Sequence, residues 1–154
     1  MTRNNRRSEV RFSAATDIAA APEAVWWVMT DVAREPEWMA AVRVATFVGD
    51  VQGYEVGARM RRQARFLWID MSWESEIVRY EADSVIVFKH VGGALKGESR
   101  WSVTPTAGGC RVVLESDGPA PGPLAWFPAL AAAGGHAGLK RDLARLKRLV
   151  ERLA

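Results

Sequence analysis

The sequence predicts an α+β protein in which a curved antiparallel sheet of seven strands wraps around one long C-terminal helix. Three observations carry this expectation. Seven strand-like runs, several alternating apolar with polar residues and one (84–91) rich in β-branched residues, are joined mostly by short, turn-rich connections, which favours antiparallel pairing. Two short helical segments, opened by Pro22 and Pro36, interrupt the strands only after the first of them. The last segment, 138–153, carries Leu139, Leu143, Leu146, Val150 and Leu153 on one stripe, with Arg141, Arg145, Arg148 and Arg152 roughly opposite.

Taken in order, run 10–18 places Val10, Phe12, Ala14, Thr16 and Ile18 on one face and Arg11, Ser13, Ala15 and Asp17 on the other, a half-buried strand. Pro22 suits a first helical position, where its missing N–H has no intrahelical partner to lose. Glu23 follows in the first turn, where the helix dipole favours a carboxylate. Val25, Trp26, Val28 and Met29 supply the apolar face, and Asp31 is expected to close the helix. Pro36 opens a second short turn holding Trp38 and Met39. A strand at 42–48 precedes a loop punctuated by Gly49, Gly53 and Gly57.

Run 58–66 sets Met60, Arg62, Ala64 and Phe66 against Arg59, Arg61, Gln63 and Arg65. Run 68–78 sets Ile69, Met71, Trp73, Ser75 and Ile77 against Asp70, Ser72, Glu74 and Glu76. A basic outer face beside an acidic one predicts a hairpin with cross-strand ion pairs. Such pairs add little stability but help fix register. Strands follow at 84–91, 97–104 and 110–116. A stiff Pro/Gly linker at 117–123 leads to a helical stretch at 124–133, and Gly134-Gly135 predicts a kink before the last helix.

Composition narrows the function. Residues 9–154 read as one domain, preceded by a flexible basic tail, 1–8. A domain this size buries roughly 68–70% of its unfolded surface, so it needs no disulfide or metal to fold. The net charge of +3 is supplied by Arg3, Arg6 and Arg7; the remainder is balanced, so no nucleic-acid partner is predicted. A single cysteine, Cys110, excludes an intrachain disulfide and fits a cytoplasmic location. No apolar run has signal-peptide or membrane-spanning length. His90 and His136 lie far apart and match no metal-site spacing. Glycine-rich nucleotide loops and a Gly-x-Ser-x-Gly elbow are missing too, so neither a metal nor a cofactor is implied.

Several short pieces, in this order and spacing, carry a resemblance. They are Ala21-Pro22-Glu23 leading to Val25-Trp26, Asp31, Pro36 with Trp38, Gly57 opening a strand, and Trp73-Glu74. The Gly108-Gly109 turn and the terminal Asp142-Leu143-Ala144-Arg145-Leu146-Lys147 complete the set. From about 10 to 153 the chain resembles the START-like SRPBCC superfamily, in its polyketide cyclase/dehydrase and lipid-transport type. The resemblance implies a helix-grip fold with a deep cavity between sheet and C-terminal helix. It leaves three functions open: a cofactor-independent cyclase or dehydratase, a carrier of a small hydrophobic molecule, and a surface-mediated protein-interaction module. Either a monomer or a homodimer is compatible with it.

If the apolar sheet face meets the long helix, Met60, Phe66, Met71, Trp73, Phe88 and Trp101 line the interior, with Trp38 and Trp126 near the mouth. Large aromatics suit a ring-bearing or lipid-like ligand, because they offer area with few rotamers to freeze. They also simply fill cores. Arg62, Ser75, His90 and Ser99 share the same face, and a buried polar group needs a partner. As catalytic residues, Arg62 would polarise a carbonyl or hold a carboxylate, and His90 would act as general acid or base. That pair suits an aldol-type cyclisation or a dehydration. In the competing reading, Arg62 snorkels to a rim and His90 sits in solvent.

Overall fold

The alternating runs pair into one seven-stranded antiparallel sheet, in a computed structural model that describes residues 9–66, 68–119 and 127–154. The expected tail and Trp126 lie outside the described residues. The strands are β1 (Glu9–Ile18), β2 (Val42–Phe47), β3 (Arg59–Phe66), β4 (Ile69–Glu81), β5 (Val85–Gly93), β6 (Glu98–Thr106) and β7 (Gly109–Pro119). Their spatial order is β1-β7-β6-β5-β4-β3-β2. Strands β2 to β7 therefore form a meander. β1 crosses over to close it against β7, from Glu9 opposite Pro119 to Ile18 opposite Cys110.

The crossover holds α1 (Pro22–Met29), a 3-10 turn (Val32–Arg34) and α2 (Glu35–Trp38). α1 ends at Thr30, whose hydroxyl donates to the Trp26 carbonyl at 2.7 Å. Asp31 caps the next element rather than closing α1: its carboxylate accepts from the Ala33 N–H at 3.2 Å. The expected ion pairs fix the β3–β4 register, with Arg61 on Glu74 at 3.1 Å and Arg65 on Asp70 at 2.9 Å.

Two expectations at the C-terminal end need correction. Residues 117–119 belong to β7 rather than to a linker. The last helix, α3 (Pro128–Leu153), runs unbroken through Gly134 and Gly135. A Cβ on Gly135 would lie 2.6 Å from the Phe12 ring, so this glycine serves close approach of helix to strand, not a kink. Polar tethers then hold α3 in place. His136 Nδ1 lies 2.6 Å from the Ser13 carbonyl, Lys147 donates to the Asp17 carbonyl at 3.0 Å, and Asp142 accepts from the Ala40 N–H at 3.0 Å.

The sheet curls around α3, whose buried stripe is Leu143, Leu146, Leu149 and Val150; Leu139 is half-buried and Leu153 is exposed. These pack in one cluster with Ile18, Met29, Trp38, Met60, Phe88, Trp101 and Leu114. A smaller cluster of Val42, Ala45, Ala64 and Trp73 sits beside it. The inner face of the sheet thus has two halves, a filled one under the C-terminal part of α3 and a looser one under its first turns.

Candidate ligand pocket

Period-two alternation aims Met60, Arg62 and Ala64 of β3 inward, together with Trp73 and Ser75 of β4, Phe88 and His90 of β5, and Ser99 and Trp101 of β6. The filled half takes the deeper of these. Trp101 packs edge-on against Trp38 at 5.1 Å and Phe88 at 4.7 Å between ring centroids. Trp38 was expected near the mouth; α2 instead lays it wholly inside the core. Met60, Ser75, Phe88 and Trp101 are also buried in this half or at its border.

Arg62 lies in the same layer, its guanidinium 4.8 Å from the Phe88 ring centroid. It forms a two-pronged ion pair with Glu35 of α2, at 2.6 and 2.8 Å. Glu35 is 0% exposed and Arg62 3%. Burial works against the charge of Arg62, but the Glu35 carboxylate outweighs it and holds the guanidinium above its ordinary pKa. Glu35 is a site residue that sequence reasoning missed. The signal was the rule already applied to Arg62: a buried cation needs a carboxylate, and the acidic residues opening α2 were candidates. Beside this pair sits Tyr54, whose phenol pKa is driven up by burial and then by Glu35. Its hydroxyl has no hydrogen-bond partner among the described residues.

His90 stands at the border between the halves. Register places Ser75 beside it on β4, and Ser99 opposite Ser116 across β6 and β7. The result is a chain of contacts across four strands. Ser75 Oγ meets His90 Nδ1 at 2.8 Å, His90 Nε2 meets Ser99 Oγ at 3.1 Å, and Ser99 Oγ meets Ser116 Oγ at 3.3 Å. Burial, reinforced by the charge of Arg62 and opposed by Asp117, lowers the His90 pKa to about 4. The imidazole is therefore neutral at pH 7, with one ring nitrogen donating and the other accepting.

The looser half contains a cleft of about 260 Å³. Its walls are Val10 and Phe12 of β1, Ala64 and Phe66 of β3, Met71 and Trp73 of β4, and Ala131 and Gly135 of α3. Ala41 and Leu95 add further apolar surface. His90, Ser116, Asp117 and Lys96 supply polar groups. Of the residues expected to bind or react, Phe66, Met71, Trp73 and His90 meet here; Arg62, Trp38, Met60, Ser75, Phe88, Ser99 and Trp101 do not line it. Phe12 was legible as an inward residue of β1. Leu95, Lys96, Ala131 and Gly135 come from turns and a helix face that alternation does not reach. The volume falls just below the ~300–1,000 Å³ usual for small-molecule sites, so the cleft suits a compact ligand or one that projects from the mouth.

A sheet gripping a long helix, with an apolar pocket at one end, defines a helix-grip protein. The chain belongs to the polyketide cyclase/dehydrase and lipid transport family, whose sequence profile matches residues 9–151. Solved structures of similar fold include TTHA0849 from Thermus thermophilus, with a TM-score of 0.75 and 20% identity over 95% of this chain and 99% of that one. SA2116 from Staphylococcus aureus, described as a protein of unknown function, has a TM-score of 0.72 and 10% identity over 94% of each chain. Ara h 8.0201 has a TM-score of 0.71 and 11% identity over 94% of this chain and 99% of that one. At these identities the likeness shows the fold alone. No curated protein sequence matched the chain.

Proposed function

We propose that the protein binds a small hydrophobic molecule, polyketide- or lipid-like and ring-bearing, in the cleft under the first turns of α3. The observation that carries this is the apolar pocket itself, with His90 at its inner border as a neutral hydrogen-bonding group. A ring edge would pack on Phe12, Met71 and Trp73, while a hydroxyl or carbonyl of the ligand would meet the Ser116 hydroxyl, at the end of the chain that starts from His90. The family's description supports the ligand class. A cytoplasmic location suits a chain with one unpaired cysteine.

Binding without turnover is the reading the geometry supports best. Arg62 is engaged by Glu35 through Nε and Nη2 and does not line the pocket. A second reading, cyclisation or dehydration without a cofactor, is favoured by the chain of hydroxyls about His90, which engages both ring nitrogens and offers a route for a proton. There His90 transfers the proton, its imidazole held neutral by burial and then by the positive charge of Arg62.

The test is fluorescence titration with the neutral probe N-phenyl-1-naphthylamine, alongside native mass spectrometry. Ala131→Trp fills the pocket from the helix side without touching the filled half. Probe affinity should fall at least tenfold in this variant, with its melting temperature unchanged. Equal affinity in both proteins would remove the pocket as the site. A wild-type chain that binds no probe and carries no co-purified compound would favour the surface-interaction reading. A compound that the wild type converts and His90→Gln binds but leaves intact would establish the catalytic one.

A further inference from the structure

We infer that a second cleft, at the far end of β4 from the first, binds a small organic cation carrying an alkylammonium group. Tyr80 of β4 joins Trp27 of α1, Phe47 of β2, Asp31 and Tyr54 around a cleft of about 330 Å³. Tyr80 lies roughly 20 Å along β4 from Trp73, and the two clefts share no wall residue. The volume falls within the ~300–1,000 Å³ usual for small-molecule sites. The rings are held in place by the fold itself. Phe47 meets Tyr54 edge-on at 5.2 Å between centroids, and the Tyr80 hydroxyl accepts from the Trp26 indole N–H at 3.3 Å. Gly57 pins the loop that carries Tyr54, donating its N–H to the Ile77 carbonyl at 2.8 Å. Trp27 is 61% exposed, although its neighbours Trp26 and Val28 are buried. An indole left in water beside two phenols and a phenyl ring offers a cation several π faces.

Charge selects the occupant. Asp31 is the only charged residue among the described walls. Arg34 lies 3.2 Å from Asp31 and 3.4 Å from Glu37, so one guanidinium serves two carboxylates. The imbalance extends through the crossover and loop that build the cleft. Residues 19–58 carry Glu23, Asp31, Glu37, Asp50 and Glu55 against Arg34 and Arg43, with Glu35 neutralised by Arg62. Arg79, beside Tyr80, is paired with Glu81 at 3.0 Å. Arg145 reaches α2 from α3 and donates to the Pro36 and Glu37 carbonyls; even with it counted, the carboxylates outnumber the cations. The interaction already occurs once at this site, because the Arg34 guanidinium sits 5.6 Å from the Trp27 ring centroid while it contacts Asp31. An anion entering the cleft would meet Asp31 and no lining cation. A bare metal ion would want several oxygen ligands, and a single carboxylate among rings suits it poorly. Alkyl groups around a nitrogen pack on the rings while the charge faces Asp31.

The experiment is an NMR titration of the isotope-labelled full chain with choline chloride, exchanged for potassium chloride at constant ionic strength, and with the neutral isostere 3,3-dimethylbutan-1-ol. Choline should shift the Trp27 indole and Gly53 amide signals saturably. The alcohol should bind on the order of tenfold more weakly, because it lacks the charge that the rings and Asp31 attract. Asp31→Asn keeps an acceptor for the Ala33 N–H, so the turn stays capped. Its choline affinity should fall about threefold, as for a partly exposed charge pair, with an unchanged thermal melt. Trp27→Ala removes an exposed ring and should abolish binding read at Gly53. Equal affinity for choline and the alcohol overturns the inference, as does undiminished binding by Trp27→Ala. It is also overturned by a wild type that shows no saturable shift, or by choline shifts confined to Leu95 and Lys96 at the first cleft. N-phenyl-1-naphthylamine should bind equally with and without choline; displacement of one by the other would overturn the separation of the two sites.

Discussion

Replacing Glu35 with Gln strikes the one ion pair among the described residues whose two partners are both buried. Both partners of the Glu35–Arg62 pair are buried, and both guanidinium contacts are short. Removing one charge leaves the other without water or counter-charge, which costs about 3–5 kcal/mol. In a domain of this size that corresponds to a fall in melting temperature of roughly 6–20 °C. Gln keeps an acceptor for one guanidinium N–H, which points to the lower part of that range. The companion variant Glu35→Leu/Arg62→Met removes both charges and keeps apolar volume beside Phe88 and Trp101. Swaps of that kind are neutral to stabilising, so the double variant should melt above Glu35→Gln. Thermal circular dichroism and urea titration on the three proteins measure this. A Glu35→Gln protein within about 1 kcal/mol of wild type would refute the reasoning, because the pair could then not be desolvated as described. Probe affinity should survive in the double variant, since neither residue lines the cleft.

Two further outcomes follow from the same geometry. His90 has a folded pKa of about 4 against an unfolded value of about 6.5, so the unfolded chain binds the extra proton first. Its contribution to stability is complete above pH 6.5 and lost as pH falls toward 4; after discounting for partial exposure it is of order 1–2 kcal/mol. His90→Gln should flatten that part of the urea-stability profile, and an unchanged slope would count against a desolvated imidazole. Gly135→Ala sets a gain in helix propensity of about 1 kcal/mol against a clash that the Phe12 ring relieves by swinging into the cleft. Stability should change by less than about 1 kcal/mol while N-phenyl-1-naphthylamine binds more weakly; unchanged probe affinity would show that the ring is displaced away from the cleft.

The sheet was legible because its physics is local. Alternation marked several of the seven strands and a β-branched run marked 84–91, and the basic and acidic outer faces at Arg61, Arg65, Asp70 and Glu74 predicted a hairpin with cross-strand ion pairs, which the structure bears out. The family resemblance, carried by weak motifs in a fixed order, holds over nearly the whole chain. What stayed hidden depends on distance in sequence. Alternation says that Arg62 faces inward but not that Glu35, 27 residues earlier, meets it there. Gly134-Gly135 reads as a break from propensity alone, yet the Phe12 ring under the helix explains the second glycine. The same limit applies to depth. Parity treats Met60, Ala64 and Phe66 alike, whereas curvature and α3 bury the first in a filled core and leave the last at an open rim.

The pairing of β1 with β7 sets a timetable for assembly. The cleft's walls come from Val10 and Phe12 near one end of the described chain, from Ser116 to Pro119 about a hundred residues later, and from Ala131 and Gly135 beyond that. Closing so long a loop carries an entropic cost that must be met before its contacts reward it. The meander from β2 to β7 can zip hairpin by hairpin as it leaves the ribosome, while β1 waits for β7, its strand neighbour among the described residues. A nascent chain released before β7 emerges would hold most of the sheet and no receptor site. Ligand binding thus reports that synthesis has passed the first turns of α3, as well as on folding.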